Sequence, residues 1–174
     1  MEAITFQEFQ DIFRTSRRAF HLELRDDYHV EHEEVPFGKW LKGEPDDFRW
    51  RIEWLSFIKE ITARGVVVER ARVVTEPHTD YVRWELALDP QNIDAGEDIR
   101  YLPRRHAEGA EGIVLPAEDC WLFDDDRLVL SLFKPEGGSG GFACEYDPDL
   151  IRQYRVVCNQ VWSRAVPYAE YTAR

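Results

Sequence analysis

The sequence predicts a single α/β domain, or an α+β variant of it, with helices packed on a central mixed sheet and a β meander before a C-terminal helix. Three observations lead there. Runs of β-branched residues alternate with amphipathic helical stretches through the first half of the chain. Two short apolar runs joined by an acidic turn then follow, and the chain closes on its strongest helical stripe. At 174 residues the length suits one compact unit, so residues 1–174 are expected to form one globular domain. With 44% apolar and 13% aromatic residues, the chain has enough apolar surface to build a core despite its charge.

Thr5-Phe6-Gln7-Glu8 forms a capping box, Ile4 and Phe9 stand as a hydrophobic staple, and Phe6, Phe9, Ile12 and Phe13 repeat at helical spacing. A helix over 5–16 follows. Ala19 to Arg25 alternates strictly, with Phe20, Leu22 and Leu24 on one face and His21, Glu23 and Arg25 on the other, the period of a half-buried strand. Residues 26–34 are polar and turn-like. Phe37, Trp40 and Leu41 suggest a short helix that Gly43 ends. A longer helix is expected over 47–64, capped by Asp46 or Asp47, striped by Ile52, Leu55, Ile58 and Ile61, and closed by Gly65.

Val66 to Val74 reads as a strand whose Glu69, Arg70 and Arg72 require one wet edge or face. Thr79 to Leu88 fits both periods, since Val82, Trp84, Leu86 and Leu88 alternate while Tyr81, Trp84 and Leu88 share a helical face. A helix is favoured, because it lets Ile99–Leu102 return parallel to Val66–Val74. Pro103 to Pro116 is expected as a loop. Cys120–Phe123 and Leu128–Phe133 form a hairpin, and Phe142–Tyr146 adds a third strand after the glycine-serine tract 137–141, a mobile connection. In the last helix Asp147 caps, Pro148 takes the first position, and Ile151, Tyr154, Cys158, Val161, Trp162 and Ala165 line one face before Pro167.

The charge balance restricts the partners. Thirty-four acidic against 22 basic residues give a net charge of −12, which repels a phosphate backbone and argues against direct nucleic-acid binding. Acidic runs at Asp26-Asp27, Glu31 to Glu34, Asp46-Asp47 and Asp124 to Asp126 would attract a basic protein or simply keep the domain in solution. No apolar run reaches the ~18 residues of a membrane span. The first residues carry Glu2, Glu8, Asp11, Arg14, Arg17 and Arg18 in place of a signal core, so a cytoplasmic protein with no membrane partner is expected. Cys120, Cys144 and Cys158 lack CxxC spacing and read as core thiols.

No glycine-rich dinucleotide motif, P-loop, nucleophile elbow or H-E-x-x-H occurs, so no cofactor and no catalytic residue are assigned, and a non-enzymatic role is favoured. His29-Val30-Glu31-His32 lacks the apolar stripe that would make it a helical metal site and reads as a solvated loop. Asp124-Asp125-Asp126 lacks the alternating ligands of a calcium loop and reads as a hairpin turn. Loops at strand C-termini line the crevice of open α/β sheets, so Glu76, Asp80, Arg83, Glu97 and Arg104 are the candidate residues for a small ligand. The competing account is a salt-bridge network of Arg83 with Glu85, Glu97 or Asp98. Trp54, Trp121 and Trp162 are expected in the core.

The blocks Arg72-Val73-Val74-Thr75-Glu76-Pro77, Asp80-Tyr81-Val82-Arg83-Trp84-Glu85-Leu86, Ala95 to Pro103, Trp121-Leu122-Phe123-Asp124, and Trp162 with Ala165 to Tyr168 are specific and span nearly the whole chain. Together they resemble an actinobacterial family of unknown function whose members are often encoded beside XRE-type helix-turn-helix regulators. That resemblance implies an accessory regulatory protein docking on a helix-turn-helix partner. A fainter likeness is to a degenerate phospholipase D-like domain. None of His21, His29, His32, His78 or His106 is followed by Lys at the spacing which that chemistry needs.

Overall fold

The computed structural model describes residues 1–107, 112–135 and 137–173. Its centre is one mixed eight-stranded sheet in the order β1-β7-β6-β5-β2-β3-β4-β8. The strands are β1 (Glu2–Ile4), β2 (Arg18–Glu23), β3 (Val67–Val74), β4 (Glu97–Pro103), β5 (Asp119–Phe123), β6 (Arg127–Phe133), β7 (Ser139–Glu145) and β8 (Val166–Pro167). The middle strands β2, β3 and β4 run parallel and every other pairing is antiparallel. Helices α1 (Phe6–Thr15), α2 (Glu34–Leu41), α3 (Ile52–Ala63), α4 (Asp80–Asp94), α5 (Arg104–Ala107), α6 (Pro148–Arg164) and α7 (Tyr168–Tyr171) complete the single α/β domain.

Local signals set several termini as expected. The Thr5 hydroxyl accepts from the Glu8 amide at 3.2 Å while the Glu8 carboxylate accepts from the Thr5 amide at 2.7 Å, which closes the capping box. The Thr79 hydroxyl accepts from Val82 N at 3.2 Å and the Asp147 carboxylate from Asp149 N at 2.9 Å, starting α4 and α6. One side of the sheet buries Phe20, Leu22, Ala71, Val73 and Leu122 against Tyr154, Cys158 and Val161 of α6. On the other side Phe9 and Phe13 of α1 and Phe57, Ile58 and Ile61 of α3 pack over Val68, Trp121 and Phe123. The three cysteines are buried and free.

Elsewhere the structure departs from the sequence reading. The helix expected over 47–64 begins as a short 3-10 turn, Arg49–Arg51, before α3, because Phe48 is left-handed at φ 55°. Neither Asp46 nor Asp47 is the N-cap of α3, a place taken by Arg51; they accept from the Trp50 indole at 2.8 Å and, at the first residue of the 3-10 turn, from Arg49 N at 3.1 Å. Ile52 is exposed, and Phe57 takes the buried place expected of that stripe. Helix α4 continues through Pro90, whose missing N–H frees the carbonyl of Leu86. The Tyr168 hydroxyl donates to that carbonyl at 2.9 Å, so it is not left orphaned. The expected loop over 103–116 opens with the last residue of β4 and the helical turn α5, and its residues 108–111 lie outside the described residues.

The turn between α4 and β4 sets where the charged end of β4 begins. Gly96 has φ +108°, and a Cβ there would stand 2.7 Å from the Thr62 hydroxyl, which already donates to Ala95 O at 2.9 Å. Gly96→Ala is therefore expected to cost about 2 kcal/mol, read as a thermal midpoint lower by roughly 4–8 °C.

Candidate ligand cavity on the sheet face

Alternation along β2 to β5 puts a band of polar side chains on the same face as α4. His21 and Glu23 of β2 stand in register with Arg70 and Arg72 of β3. Arg72 in turn opposes Tyr101 of β4, and His21 opposes Trp121 of β5. The sequence reading expected Arg70 and Arg72 to need water; instead they are 7% and 6% exposed, in the middle of the sheet. Counter-charges make this tolerable. Arg70 donates to Glu23 at 2.8 Å and, in fork geometry, to both oxygens of Glu97 at 2.8 and 3.2 Å. Arg72 donates to Glu23 and Glu85 and reaches Asp89 at 3.4 Å.

Helix α4 supplies the far wall. Its spacing turns Tyr81, Trp84, Glu85, Leu88, Asp89 and Asn92 toward the sheet. Asp89 accepts from the Tyr101 hydroxyl at 2.5 Å, and the Asn92 amide donates to Glu97 at 2.8 Å. Arg51, ahead of α3, donates to Leu88 O at 3.1 Å, to Gln91 at 2.8 Å and to Asn92. On the opposite side Asp119 of β5 accepts from Leu24 N at 3.0 Å and from the Tyr28 hydroxyl at 2.5 Å.

Between floor and wall lies a cavity of about 490 Å³, within the range of small-molecule sites. Phe6, His32 and Ser139 are exposed at its rim, with Trp50, Trp54 and Phe142 half-buried beside them. Trp50 stacks on Trp84 at 5.7 Å between ring centroids. Tyr81 lies 5.5 Å from Trp84 and 5.9 Å from Tyr28, so the rings form a continuous aromatic wall. Deeper in, the His21 ring stacks on Trp121 at 4.0 Å with its Nδ1 3.2 Å from a Glu23 carboxylate oxygen, and among the described residues neither that nitrogen nor the buried Arg72 Nε makes a hydrogen bond.

Burial controls protonation here. It pushes Asp119 up to about 7, although the Tyr28 hydroxyl opposes this. It also raises Glu33, Asp89 and, most strongly, Glu85, against the pull of nearby Arg72. Burial, reinforced by Arg70 and Arg72, holds His21 well below its usual value, so that ring is neutral. Arg51 falls to about 10, chiefly through burial.

The residues nominated from sequence fall in two places. Glu97 belongs beneath this floor, held by Arg70 and Asn92. Glu76, Asp80, Arg83 and Arg104 gather at the C-terminal ends of β3 and β4 and do not line the cavity. There Glu76 accepts from Tyr171 at 2.6 Å and from Arg105, while Arg104 donates to Leu24 O at 2.5 Å and Val73 O at 3.1 Å. Arg83 pairs with Asp80 and donates to His78 O at 2.7 Å, rather than pairing with Glu85, Glu97 or Asp98. The sequence reading missed His21, Glu23, Arg70, Arg72, Asp89 and Asp119. The available signal was charge repeating at a spacing of two, in 21/23 and 70/72, inside strands apolar enough to be central.

No curated protein matches the chain. Residues 7–173, which carry every part of the cavity except Phe6, match a family model, and the chain belongs to that family, described as a domain of unknown function, DUF6879.

Proposed function

We propose that this domain binds a small organic molecule in the cavity over β2 to β6 and acts as a ligand-sensing rather than a catalytic unit. The observation that carries the reading is the charged floor. Glu23, Arg70, Arg72, Glu85 and Asp89 are all more than nine-tenths buried at the edge of an open cavity. Apolar side chains of the same volume would serve stability equally well or better, so the network is best accounted for by recognition. Support for turnover is thinner. Among the described residues no serine or cysteine hydrogen-bonds to the neutral His21, so that imidazole activates no nucleophile.

A link to a helix-turn-helix regulator, implied by the family resemblance, fits this reading as its output, and the charge of −12 suits a basic partner surface. Mixed sedimentation of the two proteins at low salt tests that link, which falls if no complex forms. The ligand reading itself is tested by thermal melting of the wild-type protein with millimolar amines, amino acids, carboxylates, sugars and nucleosides. A ligand near a hundredfold over its Kd adds about 2.7 kcal/mol, a shift of roughly 5–10 °C. At least one class is expected to give that shift, and Trp50→Ala at the rim to reduce it. A flat response to every class overturns the proposal.

A further inference from the structure

We propose that the occupant of this cavity is an organic cation, a protonated or quaternary amine, seated against the aromatic wall with its charge facing Glu33 and Asp119. The inference rests on the ligand-binding reading above and adds the chemistry of the ligand. Its first support is the number of carboxyl groups. The cavity is lined by five, Glu23, Glu33, Glu85, Asp89 and Asp119, against the guanidiniums of Arg51, Arg70 and Arg72, the neutral imidazole of His21, and His32 at the rim.

The distribution of partners sharpens the argument. Arg70 is taken by Glu23 and Glu97, and Arg72 by Glu23, Glu85 and Asp89, while Arg51 is turned to the oxygens of Leu88, Gln91 and Asn92. An anion approaching Arg70 or Arg72 would meet the carboxyls that already hold them, and what the described residues leave to it is Arg72 Nε and Arg51, which is held by neutral oxygens alone. Glu33 and Asp119 are different. The side chain that meets each is a tyrosine hydroxyl, Tyr81 for Glu33 and Tyr28 for Asp119. Among the described residues neither forms an ion pair with Lys or Arg.

The wall matches such a guest. Tyr28, Tyr81, Trp84 and Trp50 form a continuous run of rings, and the two tyrosines are the ones whose hydroxyls end on Asp119 and Glu33. A cation seated there would meet π-faces and carboxyls together, the pairing that recognises ammonium groups. Rings of the cavity already attract cations: the Arg25 guanidinium lies 4.4 Å over Phe133 and that of Arg51 5.6 Å from the Trp50 centroid. Among the described residues no three His, Cys, Asp or Glu side chains converge as metal ligands would, which favours a bulky organic cation over a metal ion.

The test titrates the full chain with benzyltrimethylammonium chloride, benzyl alcohol and sodium benzoate, followed by calorimetry and by tryptophan fluorescence. The cation is expected to bind at least roughly tenfold tighter than the alcohol, and benzoate to bind weakest. Glu33→Gln, at a half-buried rim position, is expected to fold normally, to lose roughly tenfold in affinity for the cation, and to keep its affinity for the alcohol. Benzoate or benzyl alcohol binding as tightly as the cation overturns the assignment while leaving the cavity reading in place. So does equal loss of cation and alcohol in Glu33→Gln, which would make Glu33 a shaping residue only. If all three probes fail while the melting panel reports an anionic or neutral class, the cation assignment falls alone. If the panel is also flat, both fall together.

Discussion

Arg72→Met is expected to destabilise the domain by about 3–5 kcal/mol at neutral pH, measured by urea denaturation. Arg72 is 6% exposed and faces Glu23, Glu85 and Asp89, so the substitution keeps volume but leaves three carboxyls near one another without their shared cation. Two further results separate this cause from a packing defect. Adding Glu85→Gln removes one unpaired buried acid and is expected to recover at least about 1 kcal/mol, a coupling that a simple cavity would not show. The deficit should also shrink as the pH falls. Burial already raises Glu85 and Asp89, so these groups take up protons in the folded state before they do in the unfolded chain, and proton uptake then favours folding. Arg83→Met gives the contrast. Its pair with Asp80 is more than half exposed on both sides, and its loss is expected to cost under about 0.5 kcal/mol.

That contrast marks how far the sequence could be read. Features governed by neighbours a few residues away were legible: the Thr5 to Glu8 capping box, the Asp147-Pro148 start of α6, and the hairpin about Asp124 to Asp126. The parallel β3-α4-β4 unit followed from topology once Thr79 was read as a cap. What escaped depended on distant partners. Pro90 argues locally for the end of a helix, and only Tyr168, 82 residues from Leu86, makes the continuation affordable. Strands β1 and β8 span three and two residues and exist through pairing with β7 and β4. The site escaped for the same reason. Charged residues at 70 and 72 read as wet because a hydrophobic pattern counts charge as exposure, whereas their burial depends on Glu23 from one strand and Glu85 and Asp89 from the following helix. Glu97 was nominated and does underlie the floor, yet its four companions sit at the other end of the strands.

Asp119→Asn is expected to stabilise the protein by about 2–4 kcal/mol at pH 8 and to leave it unchanged near pH 4. The carboxyl is 1% exposed, and burial raises it from 3.8 to about 7. Below pH ~4 it is protonated in both folded and unfolded chains and contributes nothing to the difference between them. From there to about 7 the unfolded chain ionises while the folded one keeps its proton, so stability falls as the pH rises. Above about 7 the whole loss is present, at roughly 1.4 kcal/mol per pH unit between the two values. Asparagine cannot ionise, yet its oxygen can still accept from Leu24 N and its amide can donate to the Tyr28 oxygen, so both contacts of Asp119 have a replacement. Urea midpoints of the two proteins at pH 8 and pH 4 measure the difference. A variant less stable than wild type at pH 8 would mean that the ionised carboxylate is already satisfied within the fold. Greater stability would mean that the fold leaves the Asp119 carboxylate without a counter-charge, and the same substitution should then weaken the binding of benzyltrimethylammonium most at the pH where it stabilises most.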